Sequence, residues 1–121
     1  MTLVDTSVWL DHFRRDNPEL RNLLEGSQVL MHAFVLGEIA CGNLSDRSRT
    51  LADLQKLPRA ILAGNSEVVH LIEARRLWGR GIGWIDAHLL ASALITGCRL
   101  WTLDSRLRDA ASTLHVEHAP I

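Results

Sequence analysis

Short apolar runs alternate with longer stretches of mixed polarity from one end of the chain to the other. Thr2-Leu3-Val4 is brief and β-prone, which predicts a buried central strand. Asp5-Thr6-Ser7 follows, three residues that favour helix N-termini, and Val8-Trp9-Leu10 then begins a helix. Asn17-Pro18-Glu19 restarts a second helix with Pro18 at its first position, running to about Glu25-Gly26. Val29-Leu30-Met31 predicts a second strand, and Phe34 to Cys41 a helix closed by Gly42-Asn43. Asp46 to Leu57 reads as a helix that stops before Pro58, and Ala60-Ile61-Leu62 as a third short strand. Ser66-Glu67 caps a longer helix through Trp78, ended by the glycines at 79, 81 and 83. Ile85 to Ile95 is a strongly apolar helix stopped by Gly97. Arg99 to Leu103 is a strand, Asp104-Ser105 caps a helix through Ala111, and His115 to His118 makes a last edge strand. Such alternation predicts an α/β sandwich built on a parallel sheet. In sheets of that kind ligands gather beyond the carboxyl ends of the strands. Asp5 and Asp104 both fall there, each directly after a strand.

Composition narrows the picture without deciding it. The 121 residues make one domain, 1–121, large enough to bury roughly two thirds of its unfolded surface. An apolar fraction of 47% and a charged fraction of 22% belong to a globular protein. A formal charge of -1 excludes a polycation built to coat nucleic acid. Every basic residue is arginine except Lys56, and the guanidinium fork suits phosphate better than an ammonium does. Arg75, Arg76 and Arg80 form one basic group and Arg99, Arg106 and Arg108 another; solvated helix faces are the plain alternative. Cys41 and Cys98 stand far apart, which predicts two buried, reduced thiols and no disulfide framework. Charges interrupt every apolar stretch before the roughly 18 residues of a membrane span, and Asp5 and Asp11 come too early for a signal peptide. The expected location is the cytoplasm.

Four acids carry the chemistry. Asp5, Asp86 and Asp104 could each be a helix cap or dipole partner and nothing more. Glu38 is less ordinary: Phe34, Val35 and Cys41 are its neighbours at helical spacing, and no lysine or arginine lies within a turn. A carboxylate on that face is costly unless something compensates it. Carboxylates about 4 Å apart repel by about 4 kcal/mol at an effective dielectric of 20. Four meeting at one sheet edge would protonate or bind a cation, and all-oxygen ligation selects Mg²⁺ or Mn²⁺. Zinc is not favoured, because His32, His70, His115 and His118 show no ligand spacing with cysteine or with one another. A hard ion in an acidic pocket with arginines around it fits phosphodiester hydrolysis. Thr6, Ser7 and Thr102 are short hydroxyls placed to orient the acids, although Thr6 has helix capping as an equal alternative.

The ordered set Thr2 to Leu10, Glu38, Gly83 to Ala93 and Leu100 to Asp104 resembles a PIN domain, and within that family the VapC toxins of toxin–antitoxin pairs. No single motif is specific; the series in order, over almost the whole chain, is. The resemblance implies a PIN-like three-layer sandwich with a five-stranded parallel sheet flanked by helices. It implies that Asp5, Glu38, Asp86 and Asp104 are the acidic quartet, with Asp5, Asp86 and Asp104 as metal ligands and Ser7 or Thr6 as the associated hydroxyl. It further implies cleavage of single-stranded or looped RNA, a VapB-type antitoxin that wraps the toxin, and a homodimer in contact through Trp78 or apolar helix faces. Arg75, Arg76 and Arg80 are then the candidate RNA-binding residues. Three rivals stand beside this reading. A magnesium-binding receiver domain would need a lysine near a late strand end, and the sole lysine, Lys56, lies in a mid-chain helix. A PIN-like scaffold without catalysis would not need all four acids, and a DNA-directed nuclease would differ only in contacts to the 2′-hydroxyl.

Overall fold

A computed structural model describes residues 1–119. Strand β1 (Thr2–Val4) sits in the middle of a parallel sheet, with β2 (Val29–Leu30) on one side and β3 (Arg99–Trp101) on the other. Thr2 is opposite Val29 and Arg99, and Val4 is opposite Trp101. All three residues of β1 are buried, as a central parallel strand covered on both faces should be. The Asp5 N–H continues the ladder by donating to the Trp101 carbonyl at 2.9 Å, so the chain leaves the sheet with Asp5 fixed at its edge.

Seven helices accompany the sheet among the described residues: α1 (Thr6–Arg15), α2 (Pro18–Glu25), α3 (Ala33–Ala40), α4 (Arg47–Gln55), α5 (Asn65–Arg75), α6 (Trp84–Thr96) and α7 (Ser105–Thr113). Helix α2 starts at Pro18, capped by the Asn17 side chain on the Leu20 N–H, as its sequence predicts. Helix α6 is the most deeply buried, with Ala87 to Ala93 all inside, and Gly97 ends it at φ 75°. The core joins Leu3, Val4, Val8 and Trp9 to Leu89, Leu90, Leu100 and Leu107. No helix among the described residues is long and apolar enough to cross a membrane.

Three expectations need correction. The sheet has three strands, not five. The outer two segments each contribute a single parallel bridge, Met31 to Arg59 and Leu100 to Glu117. Pro58 has no N–H to extend the first, and His115 at φ 60° turns the chain just before the second. Helix α5 stops at Arg75 rather than running to Trp78. Arg76 adopts φ 54° and the Leu77 N–H closes on the Ile72 carbonyl at 3.0 Å, so that Leu77 can enter the core. The two thiols also differ: Cys98 is buried, but Cys41, at the end of α3, is exposed.

Candidate active site

Asp5 is the hub of a network at the carboxyl edge of the sheet. One oxygen, Oδ1, accepts the Thr6 N–H at 2.7 Å and so caps α1. The other, Oδ2, accepts the Ser7 hydroxyl at 2.8 Å and the Thr102 hydroxyl at 2.7 Å. Ser7 Oγ in turn accepts the Leu103 N–H, and Thr102 Oγ1 accepts the Asp104 N–H at 3.1 Å. The ends of β1 and β3, and the starts of α1 and α7, are therefore tied through a single buried carboxylate. Asp104 caps α7, with Oδ1 accepting the Arg106 and Leu107 N–H groups. Thr6 does not cap: its hydroxyl donates to Glu38 Oε1 at 2.7 Å, joining α1 to α3.

Asp86 completes the group from the first turn of α6, where Oδ2 accepts the Gly83 N–H at 3.0 Å. Its pKa is raised, first by partial burial and then by the negative charges of Asp5, Asp104 and Glu38, against the lowering effect of the Gly83 N–H. Asp86 thus feels the charge of the other three acids singled out in the sequence. Glu38 does so from an exposed position, not from the apolar stripe expected for it, because Val35 and Ile39 are the residues α3 buries. Capping and clustering are not exclusive here. Asp86 Oδ1, Asp104 Oδ2 and Glu38 Oε2 accept no hydrogen bond from the described residues, and none of the four acids forms an ion pair there.

A divalent cation fits this donor set. All the donors are hard oxygens and three of them are uncommitted. Among the described residues no three His, Cys, Asp or Glu side chains close tightly enough to enclose an ion alone. That looseness suits a hard divalent cation that keeps some of its waters and shares its shell with substrate phosphate. A groove of about 510 Å³ lies between α5 and α6, and none of the four acids lines it.

Of the arginines, Arg75 and Arg76 are exposed at the end of α5, whereas Arg80 donates to Thr113 Oγ1 at 3.3 Å. Sequence reasoning grouped Arg106 only with Arg99 and Arg108, and gave Trp84 no role of its own. The Arg106 side chain lies against Gly81, whose φ of 79° and missing Cβ leave room for it. Trp84 packs edge-on to His88, with centroids 4.7 Å apart. Their distance in sequence from Asp104 and Asp86, two residues in each case, was the available signal. Behind them His32 is fully buried and neutral: Nδ1 accepts the Phe34 N–H and Nε2 meets Ser92 Oγ at 3.0 Å. Burial, with smaller contributions from His88 and Arg59, lowers its pKa to about 4.

A family model described as PIN domain matches residues 2–112. Ribonuclease VapC32 of Mycobacterium tuberculosis, in strains CDC 1551 / Oshkosh and ATCC 25618 / H37Rv, is 43% identical over 113 residues, which cover 93% of this chain and 91% of the relative. The crystal structure of PAE2754 from Pyrobaculum aerophilum shares the fold, with a TM-score of 0.60 at 16% identity over 95% of this chain and 88% of that one. The chain belongs to the PIN-domain family, among its VapC-type ribonucleases. The receiver alternative is not favoured, and Lys56 is an exposed residue paired with Asp53.

Proposed function

We propose that this protein is the toxin of a toxin–antitoxin pair, an endoribonuclease that hydrolyses RNA phosphodiester bonds at Asp5, Glu38, Asp86 and Asp104. One observation carries the assignment of the site: Asp5, Asp104 and Glu38 lie close enough to Asp86 to add to the rise in pKa that burial causes there, with no protein cation among them in the described residues. Asp5, Asp86 and Asp104 are the residues that would hold Mg²⁺ or Mn²⁺. When bound, such an ion supplies charge neutralisation at a phosphoryl oxygen and makes water more acidic. The chain supplies orientation and proton handling. Thr6, Ser7 and Thr102 lock Asp5 and leave it no freedom to rotate. Thr6 holds Glu38 by Oε1, so Oε2 is free to take the proton of the attacking water as the bond to the leaving ribose oxygen breaks.

Exposed Arg75 and Arg76, and Arg80 beyond them, are the residues for the RNA backbone. The partner is a VapB-type antitoxin, the setting the cytoplasm, and the assembly a homodimer. For the dimer contact the exposed Val69, Leu94 and Ile95 of α5 and α6 are better supplied with apolar surface than Trp78 alone. Incubating the purified protein with total RNA tests the chemistry. Cleavage that stops in EDTA and returns with Mg²⁺ or Mn²⁺ is expected, and cleavage that persists in chelator overturns the metal assignment.

A further inference from the structure

Of the four tryptophans, Trp9 and Trp101 are buried, but Trp78 exposes 57% and Trp84 44% of its surface. These two flank one open cleft of about 230 Å³, lined also by Ile72, Leu77, Ile82 and Ala87. Exposed tryptophan on this scale is uncommon in a domain with ample core, and aromatic side chains concentrate at binding surfaces. The cleft adjoins the acidic edge through Gly83, although none of the four acids lines it. Trp84 begins α6 two residues before Asp86, and Gly83, whose N–H closes on Asp86 Oδ2, lies in the cleft wall. His88 abuts the Trp84 ring at an interplanar angle of 86°, which fixes the indole plane.

Charge says what kind of ligand enters. Arg75 and Arg76 are exposed immediately before Leu77 and form no ion pair among the described residues. An apolar aromatic slot whose walls follow two unpaired guanidiniums in the chain at Leu77 and precede Asp86 at Trp84 suits a flat ring carried on an anionic backbone. We infer that the Trp78–Trp84 cleft takes one unpaired nucleobase, from a nucleotide adjoining the phosphate presented to Asp86. The inference rests on the ribonuclease reading of the acidic edge. Stacking of this kind accepts any base but requires that it be out of a duplex, so the cleft would select unpaired RNA without reading its sequence.

The test is a series of oligoribonucleotides that the wild-type protein cleaves, each lacking one base near the cut. One abasic position is expected to raise KM about 10- to 100-fold, with a smaller change in kcat. Trp84→Leu should show that same loss on intact RNA and no further loss on the abasic strand, while Trp84→Phe restores most of it. Trp78→Ala, at a freely exposed position, gives the same coupling should Trp84→Leu fail to fold. Binding of single-stranded RNA in EDTA should also quench the fluorescence of the two exposed indoles. Losses that simply multiply, with no coupling between base and tryptophan, overturn the inference. So does an unchanged KM with a lost dimer or antitoxin complex in sedimentation, which would make the cleft a protein contact. If the wild type cleaves no RNA yet shows the quenching, the ribonuclease reading falls and the base cleft stands; without quenching the cleft falls as well.

Discussion

The two ends of helix α1 handle negative charge in opposite ways. Towards its C-terminal end, Asp11 receives Arg15 Nε at 2.6 Å and Asn17 Nδ2 at 3.1 Å, and Asp16 receives Arg21 Nη2 at 2.6 Å. The hydrogen bond from Arg15, followed by that from Asn17, holds the Asp11 carboxyl below its ordinary value. At its N-terminal end, Asp5 is met only by neutral hydroxyls and an amide, and the nearby Asp86 is pushed upward. Similar side chains are balanced from within the chain at one end and left unbalanced at the other. The unbalanced end keeps three carboxylate oxygens uncommitted to the described residues. Its natural complement comes from outside the polypeptide.

The sharpest way to break this comparison is to remove one charge from the unbalanced end. Asp86→Asn keeps an acceptor for the Gly83 N–H and deletes the charge and the oxygen proposed to meet the metal. Activity on RNA is expected to fall by about 10³-fold, equivalent to roughly 4 kcal/mol of lost transition-state stabilisation. Stability should hold or rise slightly, because the substitution relieves like-charge repulsion. The sign follows from linkage: with its folded pKa raised, Asp86 costs the fold stability as pH climbs above about 3.8, and the cost is complete above the raised value. A variant that melts early yet cleaves normally would reverse the assignment.

Next in size is a buried polar group that needs neither a partner charge nor an ion. His32 stays neutral because burial disfavours the charged ring, and its Nδ1 accepts the Phe34 N–H. Its folded pKa of about 4 lies below the ordinary 6.5, so the unfolded chain binds the proton first as pH falls. Stability is complete above about 6.5 and declines towards 4, by roughly 3 kcal/mol in total. Thermal melts across that range should show the decline, and His32→Asn, which can still cap α3, should flatten it. An unchanged slope in the variant would locate the acid sensitivity elsewhere, and the buried His88, also lowered by burial, is the first place to look.

How much of this was visible in the sequence differs between fold and site. Strand β1, Pro18 at the start of α2 and Gly97 at the end of α6 were legible because each follows a local rule of backbone chemistry. The ends of the sheet were not. A β-prone run such as Ala60-Ile61-Leu62 becomes a strand only if a neighbour extends the ladder, and here Arg59 makes one bridge while Ile61 and Leu62 stay exposed. Helix α5 was read three residues too long because Leu77 is pulled into the core by tertiary packing, which forces Arg76 into a conformation glycine usually supplies. The four acids were legible as residues, but their hydrogen bonds were not. Thr6 was as good a cap as a clamp by sequence, and only the approach of α3 to α1 makes it a clamp on Glu38.

That clamp supplies a smaller test. Thr6→Val removes the hydroxyl and keeps the shape, leaving Glu38 in place but free to rotate. We expect cleavage to slow by about 10-fold, in the range seen when groups that orient ligands are lost. Thr6→Ser should recover most of the rate. Equal rates in all three proteins would mean that Glu38 needs no orientation, or takes no part.

The smallest effect belongs to the balanced end, and its smallness is the point. Asp11→Asn keeps the shape of the side chain and removes the charge that Arg15 meets. Arg15 is largely exposed, so water replaces most of what the pair provides. Cleavage should stay within about twofold of wild type, and the melting temperature should barely move at moderate salt. If Asp11→Asn instead matched Asp86→Asn in lost activity, charge anywhere on α1 would matter, and the contrast between its two ends would lose its meaning. If only Asp86→Asn is inactive, what separates the two acids is the company each keeps: a guanidinium for Asp11, and three further carboxylates for Asp86.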